Sequence, residues 1–313
     1  MALNLANTVA DYLKSHSEQK FTAREMAEWI FATYPSECQE KKGKSTFINS
    51  DIELVQQLVA EIGSQRPRLQ KKHEEIKTTE GRPRRYYWTT KTAQFEVSEA
   101  ESETTEATPA TAGKGSLKEQ DLYPLLSEFL WAEHSIYSKR IDEKKSSNKK
   151  GPQGNKWLYP DVVGMEDLTV DWHQEIKATV DQYGDKKTKL WSFEVKLLLN
   201  RSNVRESFFQ AVSNSSWANF GYLVASEIEG TDTIKELRML FSLHGIGLIQ
   251  VDSENPTESQ ILIPARERSD VDWATCNRLA DENRDFLKFI KLVRQFHQTG
   301  DPRPADWDLP QEA

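Results

Sequence analysis

The chain has 313 residues, a formal net charge of −8 and a hydrophobic fraction of 37%. No apolar run approaches the roughly 20 residues of a membrane span, and Met1-Ala2-Leu3-Asn4-Leu5-Ala6-Asn7 lacks the basic stretch and apolar core of a secretory leader. Cys38 and Cys276, far apart and without metal-ligand spacing, argue against a disulfide framework and suit a reducing cytoplasm.

The length predicts two domains, and the charge is uneven along the chain. Residues 1–91 carry +3, residues 92–116 carry −4, and residues 117–313 carry −7. An overall acidic chain is not excluded from binding nucleic acid, because the distribution matters more than the total.

Residues 1–91 read as three helices followed by a two-stranded ribbon. Leu5, Val9, Tyr12 and Leu13 form a helical stripe. Thr22 is placed to cap a second helix bearing Met26, Trp29, Ile30 and Phe31, ending before Pro35. Ser50 is placed to cap a third helix that stops at Gly63. Strand-like runs from Leu69 to Thr78 and from Tyr86 to Thr90 flank the turn Glu80-Gly81-Arg82-Pro83-Arg84. Three helices and a ribbon describe a winged helix-turn-helix. Arg66, Arg68, Lys71, Lys72, Arg82, Arg84 and Arg85 are expected to give the ribbon a basic, phosphate-contacting surface. The third helix instead carries Asp51, Glu53 and Glu61, poor residues for entering a major groove. Over residues 3–90 the order resembles the HARE-type helix-turn-helix, a winged-helix family found at the amino end of restriction-type proteins. That resemblance implies DNA binding.

Residues 92–116 contain the run Ser98 to Gly115, which has no large apolar side chain and reads as a flexible acidic, Thr/Ala-rich linker.

Residues 117–300 alternate helix and strand, which predicts an α/β core with a central mixed sheet flanked by helices. The expected elements are a helix over Leu117–Trp131, a strand over Ile136–Ile141, and strand-like runs over Lys156–Gly164 and Leu190–Leu199. A helix over Val204–Asn214 follows, then a strand at Tyr222–Ala225, a helix at Ile234–Leu243 and a strand at Ile246–Val251. A helical stretch over Asp272–Gln298 closes the domain, and residues 301–313 read as a disordered tail. Trp191 and Trp217 read as core residues. The six histidines are scattered without metal spacing, and no phosphate-binding glycine loop or nucleophile elbow occurs.

The chemistry concentrates in two strand-like runs. Alternation puts Glu194 and Lys196 on one face of their strand, with Phe193, Val195 and Leu197 on the other. Burying a carboxylate and an ammonium in an apolar strand is costly unless they are paired or bind an ion. Asp161 follows Pro160 in the upstream run. Asp161, Glu194 and the Val195 carbonyl offer hard oxygen ligands for Mg²⁺ or Mn²⁺. Lys196 is suited to orient or deprotonate a water and to oppose negative charge.

Pro160-Asp161, a gap, and Glu194-Val195-Lys196 resemble the PD-(D/E)xK restriction-endonuclease-like superfamily of metal-dependent nucleases. The resemblance implies the same roles for Asp161, Glu194 and Lys196. It further implies a helix carboxylate, Glu119 or Glu128, and a phosphate- or water-holding Gln210 on the following helix. The long gap between Asp161 and Glu194 calls for an insertion around Trp172–Lys189. The loop with Lys139, Arg140, Lys144, Lys145, Lys149, Lys150 and Lys156 reads as a backbone clamp.

The resulting expectation is a cytoplasmic Mg-dependent DNA endonuclease of the restriction or genome-defence kind. Such nucleases often act as homodimers, because cutting both strands takes two active sites, and a methyltransferase or other defence-system partner fits the class. The alternatives are a non-catalytic DNA-binding protein on a degenerate nuclease scaffold, and a nuclease for RNA or branched or modified DNA.

Overall fold

The computed structural model describes residues 4–43, 50–81, 83–101, 117–148 and 155–310, grouped in two compact units. The linker residues 102–116 and Arg82, Lys149 and Lys150 therefore lie outside the described residues. The first unit comprises residues 1–95 and 228–231, the second residues 96–227 and 232–313.

In the first unit, α1 (Leu5–Ser15), α2 (Ala23–Thr33), α3 (Pro35–Gly43) and α4 (Asp51–Lys72) surround a small antiparallel sheet. Its strands β1 (Phe21–Thr22), β2 (Ile76–Thr78) and β3 (Arg85–Trp88) run in the order β1-β3-β2. Thr22 and Ser50 cap α2 and α4 through reciprocal bonds with Glu25 and Glu53. The core gathers Leu13, Met26, Ile30, Leu54, Leu58 and Ile62.

Three sequence readings fail here. The helix capped by Ser50 does not stop at Gly63 but continues through Pro67 to Lys72, so Leu69–Lys72 are helical rather than strand. An interior proline costs a helix about 3 kcal/mol, and burial of Leu58, Ile62 and Leu69 along one face offsets it. In addition, α3 was not anticipated; its one buried residue is Cys38. Finally, the supposed linker begins with a helix, α5 (Ala93–Glu101), whose start is fixed by the Thr92 hydroxyl accepting from the Phe95 amide at 3.2 Å.

The second unit is mixed α/β: a six-stranded mixed sheet flanked by helices. Its strands are β4 (Ile136–Arg140), β5 (Val162–Asp167), β6 (Thr188–Leu199), β7 (Phe220–Ile228), β8 (Gly247–Gln250) and β9 (Gln260–Ile263), neighbours in that order. The pairs β4–β5, β5–β6 and β8–β9 are antiparallel, and β7–β8 is parallel. Gly164 sits opposite Trp191, and a Cβ there would lie 2.7 Å from Ile136 Cγ2, so the crowded strand pairing requires glycine.

The central strand β6 is buried on both faces. Trp191, Phe193, Val195 and Leu197 pack against Leu122, Leu126, Phe129 and Leu130 of α6 (Glu119–His134). Alternation puts Glu194 and Lys196 on the opposite face, as expected, and Ser192 and Glu194 there bond to Asn214 of α8 (Val204–Asn214). The insertion between β5 and β6 contains α7 (Gln174–Tyr183), which ends at Gly184 with φ +70°. After β7 comes α9 (Thr231–His244).

The helical stretch expected over 272–298 consists of two helices, α10 (Trp273–Glu282) and α11 (Arg284–Thr299). Asn283 both ends the first and caps the second, its side chain accepting from the amides of Asp285 and Phe286. These helices build a second core around Trp217, Phe286 and Phe289.

The expected disordered tail is also corrected: residues 301–310 are ordered against β4. Trp307 is 5% exposed and packs on Tyr137 and Phe289, while Asp308 accepts from the Arg140 amide and the Lys139 ammonium. One large apolar ring in a proline-rich stretch supplies the burial that ordering requires. Among the described residues no helix is long and apolar enough to cross a membrane.

Candidate active site

Asp161 stands one residue before β5 and not within a strand, a correction to the sequence reading of Lys156–Gly164 as one strand. The segment still has sheet-like contacts: its amide donates to the Phe193 carbonyl and its carbonyl accepts from the Ile141 amide. The Asp161 carboxylate accepts from the Val195 amide at 2.7 Å, fixing it beside the central strand.

Glu194 is 1% exposed and accepts two hydrogen bonds. Lys196 donates to one oxygen at 2.8 Å and the Asn214 side-chain amide donates to the other at 2.8 Å. Lys196, 7% exposed, also donates to the Val195 carbonyl at 3.0 Å and stands 3.8 Å from Glu119. Its ammonium thus bridges the carboxylate and the backbone carbonyl named as metal ligands from the sequence.

Of the two helix carboxylates, Glu119 is the one near Lys196. It stands at the start of α6 beside Lys196 and accepts from the Tyr123 hydroxyl at 3.1 Å. Glu128 lines a different cavity on the same helix.

Glu194 and Glu119 therefore lie 2.8 and 3.8 Å from one ammonium, and the charge of Asp161 acts on the same group. Burial, followed by the charge of Glu194, pushes Asp161 up to about 7. Burial also pushes Glu119 up to about 7, with Lys196 opposing the shift and Asp161 adding to it. Glu194 is raised by burial against the opposing pull of Lys196. Burial works to lower the Lys196 pKa, but Glu194, Asp161 and Glu119 outweigh it and hold the ammonium charged well above its usual range.

Asp161 and Glu119 face a cleft of about 270 Å³, whose wall also carries Lys118, Arg140 and Lys144 against Glu101, Asp142 and Glu143. Among the described residues, no group of three His, Cys, Asp or Glu is ready-made for a metal ion. The oxygens on offer are the Asp161 and Glu194 carboxylates and the Val195 carbonyl, a hard donor set of the kind Mg²⁺ takes.

Gln210 lies on α8 at 5% exposure, but its amide nitrogen is already engaged by the Lys156 carbonyl at 3.0 Å. Its oxygen is buried without a hydrogen-bond partner among the described residues, as is that of Asn214, one turn further on. Asn214 was missed by the sequence reading. Its nitrogen holds Glu194 and also the carbonyls of Lys156 and Tyr159. The available signal was its i+4 spacing from Gln210 on the same helix face.

The basic residues are less available than their number implies. Arg66 and Arg84 both pair with Glu80, at 3.2 and 2.7 Å. Arg66, Arg68, Lys71 and Lys72 lie on α4 rather than on a ribbon. Arg68 and Lys71 are exposed, Lys72 donates to Asn7, and Arg85 is half-buried at the start of β3. In the second unit Lys145 pairs with Asp285, Lys139 with Asp308 and Lys156 with Glu206. Lys144 lines the cleft.

No protein-family model matches the chain, and no curated protein matches it. Among solved structures, a protein of unknown function from Silicibacter pomeroyi is similar at 13% identity, covering 58% of this chain and 92% of its own, with a TM-score of 0.29. A likeness at that level carries no argument.

Proposed function

We propose that the chain is a metal-dependent nuclease acting on DNA, with a restriction-endonuclease-like core of the PD-(D/E)xK kind and an amino-terminal winged helix of the HARE type. The observation that carries this reading is the gathering of Asp161, Glu194 and Glu119 about the buried Lys196 ammonium, beside an open cleft. When all three are ionised, the carboxylates exceed the one ammonium by two negative charges, which one divalent cation balances.

Asp161, Glu194 and the Val195 carbonyl would hold Mg²⁺ or Mn²⁺. Such an ion polarises phosphoryl oxygens and makes bound water acidic enough to attack near neutral pH. Lys196, kept charged by the acids around it, orients that water and opposes negative charge on the phosphoryl group. Glu119, beside Lys196 and held by the Tyr123 hydroxyl, would take up the proton that the attacking water releases. Lys118, Arg140 and Lys144 would make the phosphate contacts, once bound metal offsets the acids that share the cleft. In the first unit, the exposed Arg68 and Lys71 offer phosphate contacts.

The test is incubation of supercoiled plasmid with the protein in Mg²⁺ or Mn²⁺ against EDTA. The reading expects metal-dependent nicking that Glu194→Ala abolishes while DNA binding survives.

A second reading has its own observation. The Lys196 ammonium already satisfies the Glu194 and Val195 oxygens, which suits a scaffold that binds DNA without cutting it. Binding with no cleavage of any DNA or RNA substrate would favour it.

A further inference from the structure

The cleft beside Asp161 is continuous in its lining with a second, larger cavity. Gln120, Tyr123 and Arg140 line both. The second cavity, about 480 Å³, lies between α6 and the ordered tail, with Pro124, Leu125, Leu309 and Pro310 as apolar walls. Its volume falls in the range of small-molecule sites, which take up roughly 300–1,000 Å³.

Two of its charged groups have no ion-pair partner among the described residues. Glu128 lines the same cavity and is in no ion pair among the described residues. Asp308, the other carboxylate, is already taken up by Lys139 and the Arg140 amide. The Arg140 guanidinium lies 4.6 Å from the Tyr123 ring centre and also has no carboxylate partner among the described residues. A cation without an ion-pair partner therefore stands where the two cavities share a wall, and a carboxylate without one lines the second cavity alone.

We propose that this second cavity is a nucleotide subsite. It takes an unstacked base carrying an exocyclic amino group, with the adjoining phosphate held by Arg140 next to the catalytic cleft. The apolar walls cover the base. The Glu128 carboxylate, which can only accept, selects an amino group over the carbonyl that thymine and uracil present in the same place. Arg140, stacked on Tyr123, is pre-set to meet a phosphate bidentately. This inference rests on the nuclease reading, whose residues Asp161 and Glu194 it leaves untouched.

The test is isothermal titration of the full chain in EDTA with dCMP, dAMP, dTMP and inorganic phosphate at concentrations up to about 10 mM, alongside plasmid nicking in Mg²⁺. The expected result is binding of dCMP and dAMP about tenfold tighter than dTMP, the discrimination one such hydrogen-bonded pair supplies. Glu128→Gln levels the three, because its amide can also donate. Arg140→Ala weakens all of them and abolishes competition by inorganic phosphate, with circular dichroism unchanged. Equal affinity for dCMP and dTMP, indifference to Glu128→Gln, or no binding by the folded wild type overturns the subsite. Nicking without mononucleotide binding rejects the subsite and keeps the nuclease. Selective mononucleotide binding without any nicking does the reverse.

Discussion

The Asn214 side-chain amide donates to the Glu194 carboxylate at 2.8 Å, and the same nitrogen donates to the carbonyls of Lys156 and Tyr159. One side chain thus ties α8, the central strand and the segment leading into Asp161. Groups that orient a metal ligand typically matter by 10–100-fold in affinity or activity. Asn214→Leu is expected to lower Mn²⁺ affinity and nicking by about that factor. It should also cost roughly 1–3 kcal/mol by orphaning buried acceptors. Calorimetric metal titration and urea denaturation check the two parts.

Lys196 is a structural cation as well as a candidate catalytic group. Glu194 is nearly inaccessible to water, so removing the ammonium leaves a buried charge uncompensated. Lys196→Met should destabilise the second unit by about 3–5 kcal/mol. Pairing it with Glu194→Gln should recover a large part of that loss. A denaturant-melt double-mutant cycle showing simple additivity would refute the coupling.

The carboxyls impose a pH dependence on the metal-free protein. Asp161 and Glu119 are pushed up to about 7, so the folded state holds these protons more tightly than the unfolded chain. Their contribution to stability is present below about pH 4, near the unfolded values, and is lost as pH rises through about 7. In EDTA the melting temperature should therefore fall between pH 5 and pH 8. Asp161→Asn should flatten that slope, and Mn²⁺ at pH 8 should restore the loss by binding the ionised form. A melting temperature that rises over the same interval, in wild type relative to Asp161→Asn, would contradict the assignment.

In the first unit, arginines of similar appearance are expected to behave differently. Arg68 is exposed, whereas Arg66 and Arg84 neutralise the buried Glu80. Arg68→Ala and Lys71→Ala should each lower the salt slope of DNA binding by about 1. Arg66→Ala should instead lower thermal stability, because it strips a partner from Glu80. Salt-titrated fluorescence anisotropy and thermal melts separate the two effects.

Local signals explain which parts of this architecture could be read in advance. The bounds of α8 follow from its hydrophobic pattern, and the two faces of β6 follow from simple alternation around Glu194. The placement of Glu119 beside Lys196 was legible as a helix-start acid, although choosing it over Glu128 needed the packing of α6 on the sheet. What escaped depends on long-range contacts. The passage of α4 through Gly63 and Pro67, the ordering of Trp307, and Asn283 dividing α10 from α11 are all decided by what each residue packs against. Pairing of Arg66 and Arg84 with Glu80 was equally invisible, since a run of basic residues does not announce the acid folded beneath it.

The most direct test is single-turnover cleavage of an end-labelled duplex by wild type and Asp161→Asn across a Mg²⁺ titration. Asparagine keeps the shape and the acceptor for the Val195 amide while removing the charge. The account predicts cleavage that saturates with Mg²⁺, vanishes in EDTA and falls at least about a hundredfold in the variant, with duplex binding retained. Cleavage that persists in EDTA, or a variant that cuts as fast as wild type, would contradict it.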